Sequence, residues 1–225
     1  MRTAYPKFSV HPAVSGDNDS ELSTVGSESA TINDFARCWF VDDIQGRLVQ
    51  IQRDRFMHNW RQQGQQKYPR YDQTSVEFKV AWNDFLAFLR DYGISEPHVL
   101  RCELTYLNHF ERGRAWSTLA DLPHLISVWS GKGSEGFLPV PELVDFDLRY
   151  AMPAPGDRLN VQFRRAKRHE DNREILQLTL TARGQPKSGT IDDLFACFDI
   201  GHEWITRGFT DLTAAEAHKT WGRTR

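Results

Sequence analysis

Arg101, Glu103, Thr105 and His109 are the first group of side chains able to act on a ligand. They fall within the extended stretch Val99 to Phe110, where alternate residues share a face. On a concave face they would line a pocket or a hydrolytic cradle. On a solvent-facing sheet they are ordinary surface groups, and both readings stay open. Cys102 and His109 lie in the same strand, about 23 Å apart along an extended chain, far beyond the reach of a thiol–imidazole dyad.

Other chemistries find little support. The eight His and three Cys (Cys38, Cys102, Cys197) form no CxxC, HxxxH or HExxH, so neither a metal site nor a cofactor is expected. No Gly-x-Ser-x-Gly occurs. Gly131 to Gly136 is glycine-rich but lacks the spacing of a phosphate loop. The most basic run holds Arg164, Arg165, Lys167 and Arg168 near a strand end, where it would meet a phosphate backbone or simply cap a solvated hairpin. Arg53, Arg55, Asn59 and Trp60, with Asn108 and His109, mix aromatic and hydrogen-bonding groups. That mixture suits a protein interface and equally a buried polar network.

Composition narrows the classes. The 225 residues carry 28 Lys+Arg against 30 Asp+Glu, a formal charge of −2, which argues against bulk, sequence-independent nucleic-acid binding. With 40% apolar and 26% charged residues the chain reads as globular. No apolar run approaches a membrane span, and Met1 to Pro12 does not read as a secretory signal. The scattered cysteines read as core thiols in a reducing, cytoplasmic setting. Ser15 to Ala36 contains Asp17, Asp19, Glu21, Glu28 and Asp34 with no Lys or Arg, and is expected to be an acidic flexible loop.

The elements that position these groups follow from periodicity. Cys38–Val41 and Leu48–Phe56 read as a hairpin, the second strand running on toward Trp60. Thr74 and Glu77 look like a capping box, and Phe78, Trp82, Phe85, Leu89 and Tyr92 form one helical stripe closed by Gly93. A short helix is expected over Leu119 to Trp129. Leu143–Tyr150, Arg158–Lys167 and Glu174–Arg183 alternate as half-buried antiparallel strands do. A helix opens near Thr190, and Thr213 with Glu216 announces a last short one. The expected fold is α+β: antiparallel sheet packed against two main helices, with a distant internal duplication left open. Residues 1–36 form an N-terminal segment with the acidic loop, and 37–225 a single domain.

Several blocks, in order, resemble a known pattern: Gly46-Arg47-Leu48-Val49-Gln50-Ile51-Gln52-Arg53-Asp54-Arg55-Phe56, then Cys102-Glu103-Leu104-Thr105-Tyr106-Leu107-Asn108-His109-Phe110, His202 to Thr213, and His218-Lys219-Thr220-Trp221-Gly222-Arg223. From about Phe35 to Arg223 the chain resembles a sporadically distributed prokaryotic family of uncharacterised proteins of similar length. The resemblance implies no catalytic residue, and its patchy distribution implies mobile or defence-associated genes. The expected function is a non-enzymatic binding or regulatory protein acting through a protein interface, as a defence- or toxin–antitoxin-associated accessory factor. A small-ligand or hydrolytic cradle, and nucleic-acid binding through the basic hairpin, are the alternatives. A protein partner or a second copy of the chain is expected, and no membrane.

Overall fold

The computed structural model describes residues 4–12, 36–44, 46–62, 64, 67–131, 137–168 and 171–222. It is an α+β fold with antiparallel sheets and two long helices. The chain divides into two compact units, Met1–Pro97 and His98–Arg225, where the sequence reading expects one domain over 37–225 behind a segment 1–36. The acidic loop expected at 15–36 lies outside the described residues save for Ala36, and so do positions 132–136 of the glycine-rich run.

In the first unit four strands form an antiparallel meander: β1 Lys7–Pro12, β2 Ala36–Val41, β3 Arg47–Gln52 and β4 Arg55–Trp60. β1 has no counterpart in the sequence reading, because Phe8 and Val10, its apolar side chains, are both exposed and leave no buried alternation. The single strand expected over Leu48–Phe56 is two strands. Arg53 and Asp54 turn the chain, and the Asp54 carboxylate accepts a hydrogen bond from Gln52 Nε2 at 2.7 Å. Helix α1, Tyr71–Asp91, starts three residues before the expected cap. The Thr74 hydroxyl donates to the Arg70 carbonyl (3.0 Å) instead of capping, and Glu77 is held by Arg47. The aromatic stripe does pack on the sheet. Phe56 meets Phe78, Trp82 and Phe85 at ring separations of 5.8, 5.2 and 5.2 Å. Tyr92 departs from the stripe, 71% exposed and lying against Phe88. Gly93 ends the helix with φ +65°, a conformation only glycine adopts without cost.

In the second unit the sheet order is β5-β8-β7-β6, from β5 Cys102–Glu111, β6 Phe146–Ala151, β7 Arg158–Lys167 and β8 Glu174–Gly184. The first strand thus lies beside the last, unlike the plain meander of the first unit, so the two strand orders do not superpose as one repeat. Alternation puts Leu159, Val161, Phe163, Leu176, Leu178 and Leu180 on one buried face. Helix α2, Ile191–Leu212, covers that face, capped by the Thr190 side chain accepting from the Asp193 N–H. The short helix expected to Trp129 is a 3-10 turn, Leu119–His124, started by the reciprocal pair Thr118 and Asp121. Thr213 does not cap α3, Ala215–Thr220. Its hydroxyl donates to the Phe209 carbonyl (2.6 Å) and closes α2 instead.

Two glycines set how near α2 lies to the sheet. A Cβ on Gly201 would stand 3.2 Å from the Ala182 Cβ, and one on Gly208 would stand 3.0 Å from Leu159 Cδ2. They are two helical turns apart on one face, so larger residues there would lift the helix. Gly201→Leu is therefore expected to destabilise the protein by about 1–3 kcal/mol through overpacking. The denaturant midpoint should fall with the slope unchanged; an unchanged midpoint would contradict the close approach.

Candidate functional site

The face of the second sheet opposite α2 is polar and open to solvent. On β5 it presents Glu103, Thr105, Leu107 and His109, all exposed. Arg101 lies just before the strand. Asn108 points to the other face, where its Nδ2 donates to the Leu178 carbonyl (3.3 Å). The sequence grouping of Glu103 and Thr105 on one face is therefore what the register produces, His109 joins them there, and Asn108 stands apart.

Neighbouring strands lock these side chains together. Arg183 Nε donates to the Glu103 carboxylate at 2.7 Å. The Thr105 and Thr181 hydroxyls share a hydrogen bond of 3.1 Å. Gln177 Nε2 donates to Thr179 (3.0 Å), Arg149 Nε donates to the Asn160 side-chain oxygen (3.1 Å), and Arg164 pairs with Asp147. Leu107 lies among them, 57% exposed. Thr181 and Arg183 were not singled out from sequence. They sit in a strand whose buried leucines dominate the pattern, and only the register places them against β5.

The basic run does not form one surface. Arg164 is on the open face, while Arg165 and Lys167 point to the opposite side. Arg165 and Arg112 both engage Glu174, the latter at 2.6 Å. Arg168 donates to Glu111 at 2.6 Å and to Asp171 at 2.9 Å. The Arg168 guanidinium pulls the Asp171 carboxyl down to about 2 and holds Glu111 below the usual carboxylate range. Carboxylates thus already neutralise Arg164, Arg165 and Arg168.

The candidates of the first sheet do not converge either. Arg53 is in the β3–β4 turn. Arg55 and Asn59 share the face turned away from α1, and Trp60 lies on the other face, edge-on to Tyr68 at 5.0 Å. On the face away from α1, His11 stacks on Trp39 at 3.9 Å and the Arg37 guanidinium sits over the same indole at 4.9 Å. Gln50 is buried beside them, and its Oε1, Trp39 Nε1 and Arg37 Nε have no hydrogen-bond partner among the described residues. Under α1 the polar contacts are satisfied. Arg47 grips Glu77 through two bonds of 2.6 Å, and the Tyr5 hydroxyl meets His58 at 3.2 Å.

A third cluster was invisible in the sequence. Cys102 begins β5 and is the Cα partner of Gly184. A Cβ at Gly184 would lie 2.7 Å from Cys197 Sγ and 3.0 Å from Asp157 Oδ2, so both atoms crowd over this glycine. The two cysteines, Gly184 and Asp157 line a small cavity of about 10 Å³. A hydrogen bond from the Cys102 thiol to Cys197 pushes Cys102 up and brings Cys197 down. Among the described residues no group of three or more His, Cys, Asp or Glu could hold a metal ion, and no helix is long and apolar enough to cross a membrane. Comparison with protein-family models, curated proteins and solved structures finds no match to this chain.

Burial alone would push the Glu77 carboxyl up, but the bonds from Arg47 and Gln73 outweigh it and hold the group below its ordinary value. Burial also holds His58 below 6.5. Both groups bind protons more readily in the unfolded chain, so both favour folding above their unfolded values. Stability is expected to fall as pH drops below 6.5, first through His58 and then, in the carboxylate range, through Glu77. In denaturant titrations across this range, His58→Gln should remove the upper part of the decline; an identical profile in the variant would refute the assignment.

Proposed function

We propose that this protein is a non-enzymatic binding protein whose partner, another protein, docks on the open face of the second sheet. The observation that carries this reading is Leu107, exposed within a frame of side chains already bonded to one another across β5, β8, β7 and β6. Such a frame loses little side-chain freedom on association, and an apolar centre with a polar rim is how protein interfaces are built. The cavity beside Cys102 and Cys197 has a volume of about 10 Å³, far below the range of about 300–1,000 Å³ usual for ligand sites.

The pairing of Arg164, Arg165 and Arg168 with carboxylates weakens the nucleic-acid alternative, since cations already neutralised release few counterions from a phosphate backbone. The resemblance of residues 35–223 to a sporadically distributed prokaryotic family suggests a defence- or toxin–antitoxin-associated accessory as the biological setting.

The test is affinity capture from the host lysate, with nuclease and without, using the natural chain, Leu107→Glu, and Arg53→Ala as a control on the first sheet. A stoichiometric protein should be retained by the natural chain and the control. Leu107→Glu should bind it at least about tenfold more weakly, as loss of a central contact of about 1.4 kcal/mol would do. Equal capture by all three would reject this face. Capture that vanishes with nuclease would favour nucleic acid.

A further inference from the structure

We propose that Cys102 and Cys197 form a reversible oxidation site, a dithiol that a hydroperoxide converts to a disulfide joining the start of β5 to α2. The geometry is specific. Cys102 is paired across the sheet with Gly184, and Cys197 Sγ hangs over that same glycine, where a Cβ would stand only 2.7 Å away. Gly184 supplies the room that lets a sulfur from the helix come down beside a sulfur from the neighbouring strand. The two differ in access: Cys102 is buried and Cys197 partly exposed. Cys38, the remaining cysteine, lies in β2 of the other unit.

The chemistry assigns separate roles. Cys197 is the less buried of the two residues, and its hydrogen bond with Cys102 favours its thiolate over that of Cys102. The Cys197 sulfur attacks one oxygen of the hydroperoxide. An S–O bond forms, the O–O bond breaks, the peroxide leaves as an alcohol or as water, and Cys197 becomes a sulfenic acid. The Cys102 sulfur then attacks the Cys197 sulfur. An S–S bond forms, the S–O bond breaks, and the hydroxyl departs with the Cys102 proton as water. Two thiols and one hydroperoxide thus give one disulfide, one alcohol and one water. An external dithiol reverses the step by exchange. The site is independent of whether the open face binds a partner.

The full-length protein is treated with stoichiometric hydrogen peroxide, alkylated with iodoacetamide, digested without reductant and mapped by mass spectrometry. The expected product is a linked pair of peptides bearing Cys102 and Cys197, with Cys38 alkylated, and dithiothreitol restores both thiols. In Cys102→Ala the reaction should stop at a Cys197 sulfenic acid, which dimedone traps, and no such adduct should accumulate in the natural chain. The proposal is overturned if no thiol is lost, if the link involves Cys38, or if Cys197 proceeds to the sulfinic acid while Cys102 stays alkylatable. Mapping the natural chain decides the matter even if the variant fails to fold.

Discussion

How closely α2 lies on its sheet governs most of the second unit. Gly201 faces the small Ala182 and Gly208 faces Leu159, so the helix backbone rests directly on the side chains of the strands at these points. The close approach brings His202, next to Gly201, within 2.9 Å of the Tyr106 hydroxyl. It lowers Cys197, one turn earlier, onto Gly184 and beside Cys102. With one face of the sheet sealed this tightly, Glu103, Thr105, His109, Gln177, Thr179 and Thr181 of the alternating strands are left on the other. The thiol pair and the open polar face are therefore two results of one packing constraint.

Charge is handled locally in this unit. The hairpin between β7 and β8 looks strongly basic when read along the chain, yet Arg165 and Arg112 share Glu174 and Arg168 spans Glu111 and Asp171. The acids come from β5, from the start of β8 and from the hairpin itself. A linear run of like charge says little about surface potential until the strands beside it are known. Exposed pairs of this kind contribute modestly to stability. Their larger effect is to fix side chains in place and to remove the field that would draw in a polyanion.

Much of the fold was legible because the strands obey period two. Leu176, Leu178 and Leu180 against Gln177, Thr179 and Thr181 mark β8, and β7 is found at the very residues its alternation indicates. The stripe Phe78, Trp82 and Phe85 likewise identified α1 and its buried side. Boundaries failed where a side chain found a stronger partner than the backbone: Glu77 turned to Arg47, and Thr213 closed the preceding helix. β1 escaped notice because its apolar residues are not buried. Of the site, the common face of Glu103 and Thr105 was readable from β5 alone. Arg183 and Thr181, like the meeting of Cys102 with Cys197, depend on which distant segment the fold brings alongside.

The strand order of the second sheet also bears on how the chain assembles. β6, β7 and β8 follow one another and pair through short connections, whereas β5 must await a partner far along the chain. The hydrogen bond between Thr105 and Thr181 joins residues 76 positions apart. Closing a loop of that length costs more entropy than closing a hairpin, so the three-stranded meander is the cheaper nucleus and β5 the costlier addition. The ribbon that carries Glu103, Leu107 and His109 is thus an annex to a framework able to form without it, and the outer surface of this unit is completed only when its first strand meets its last.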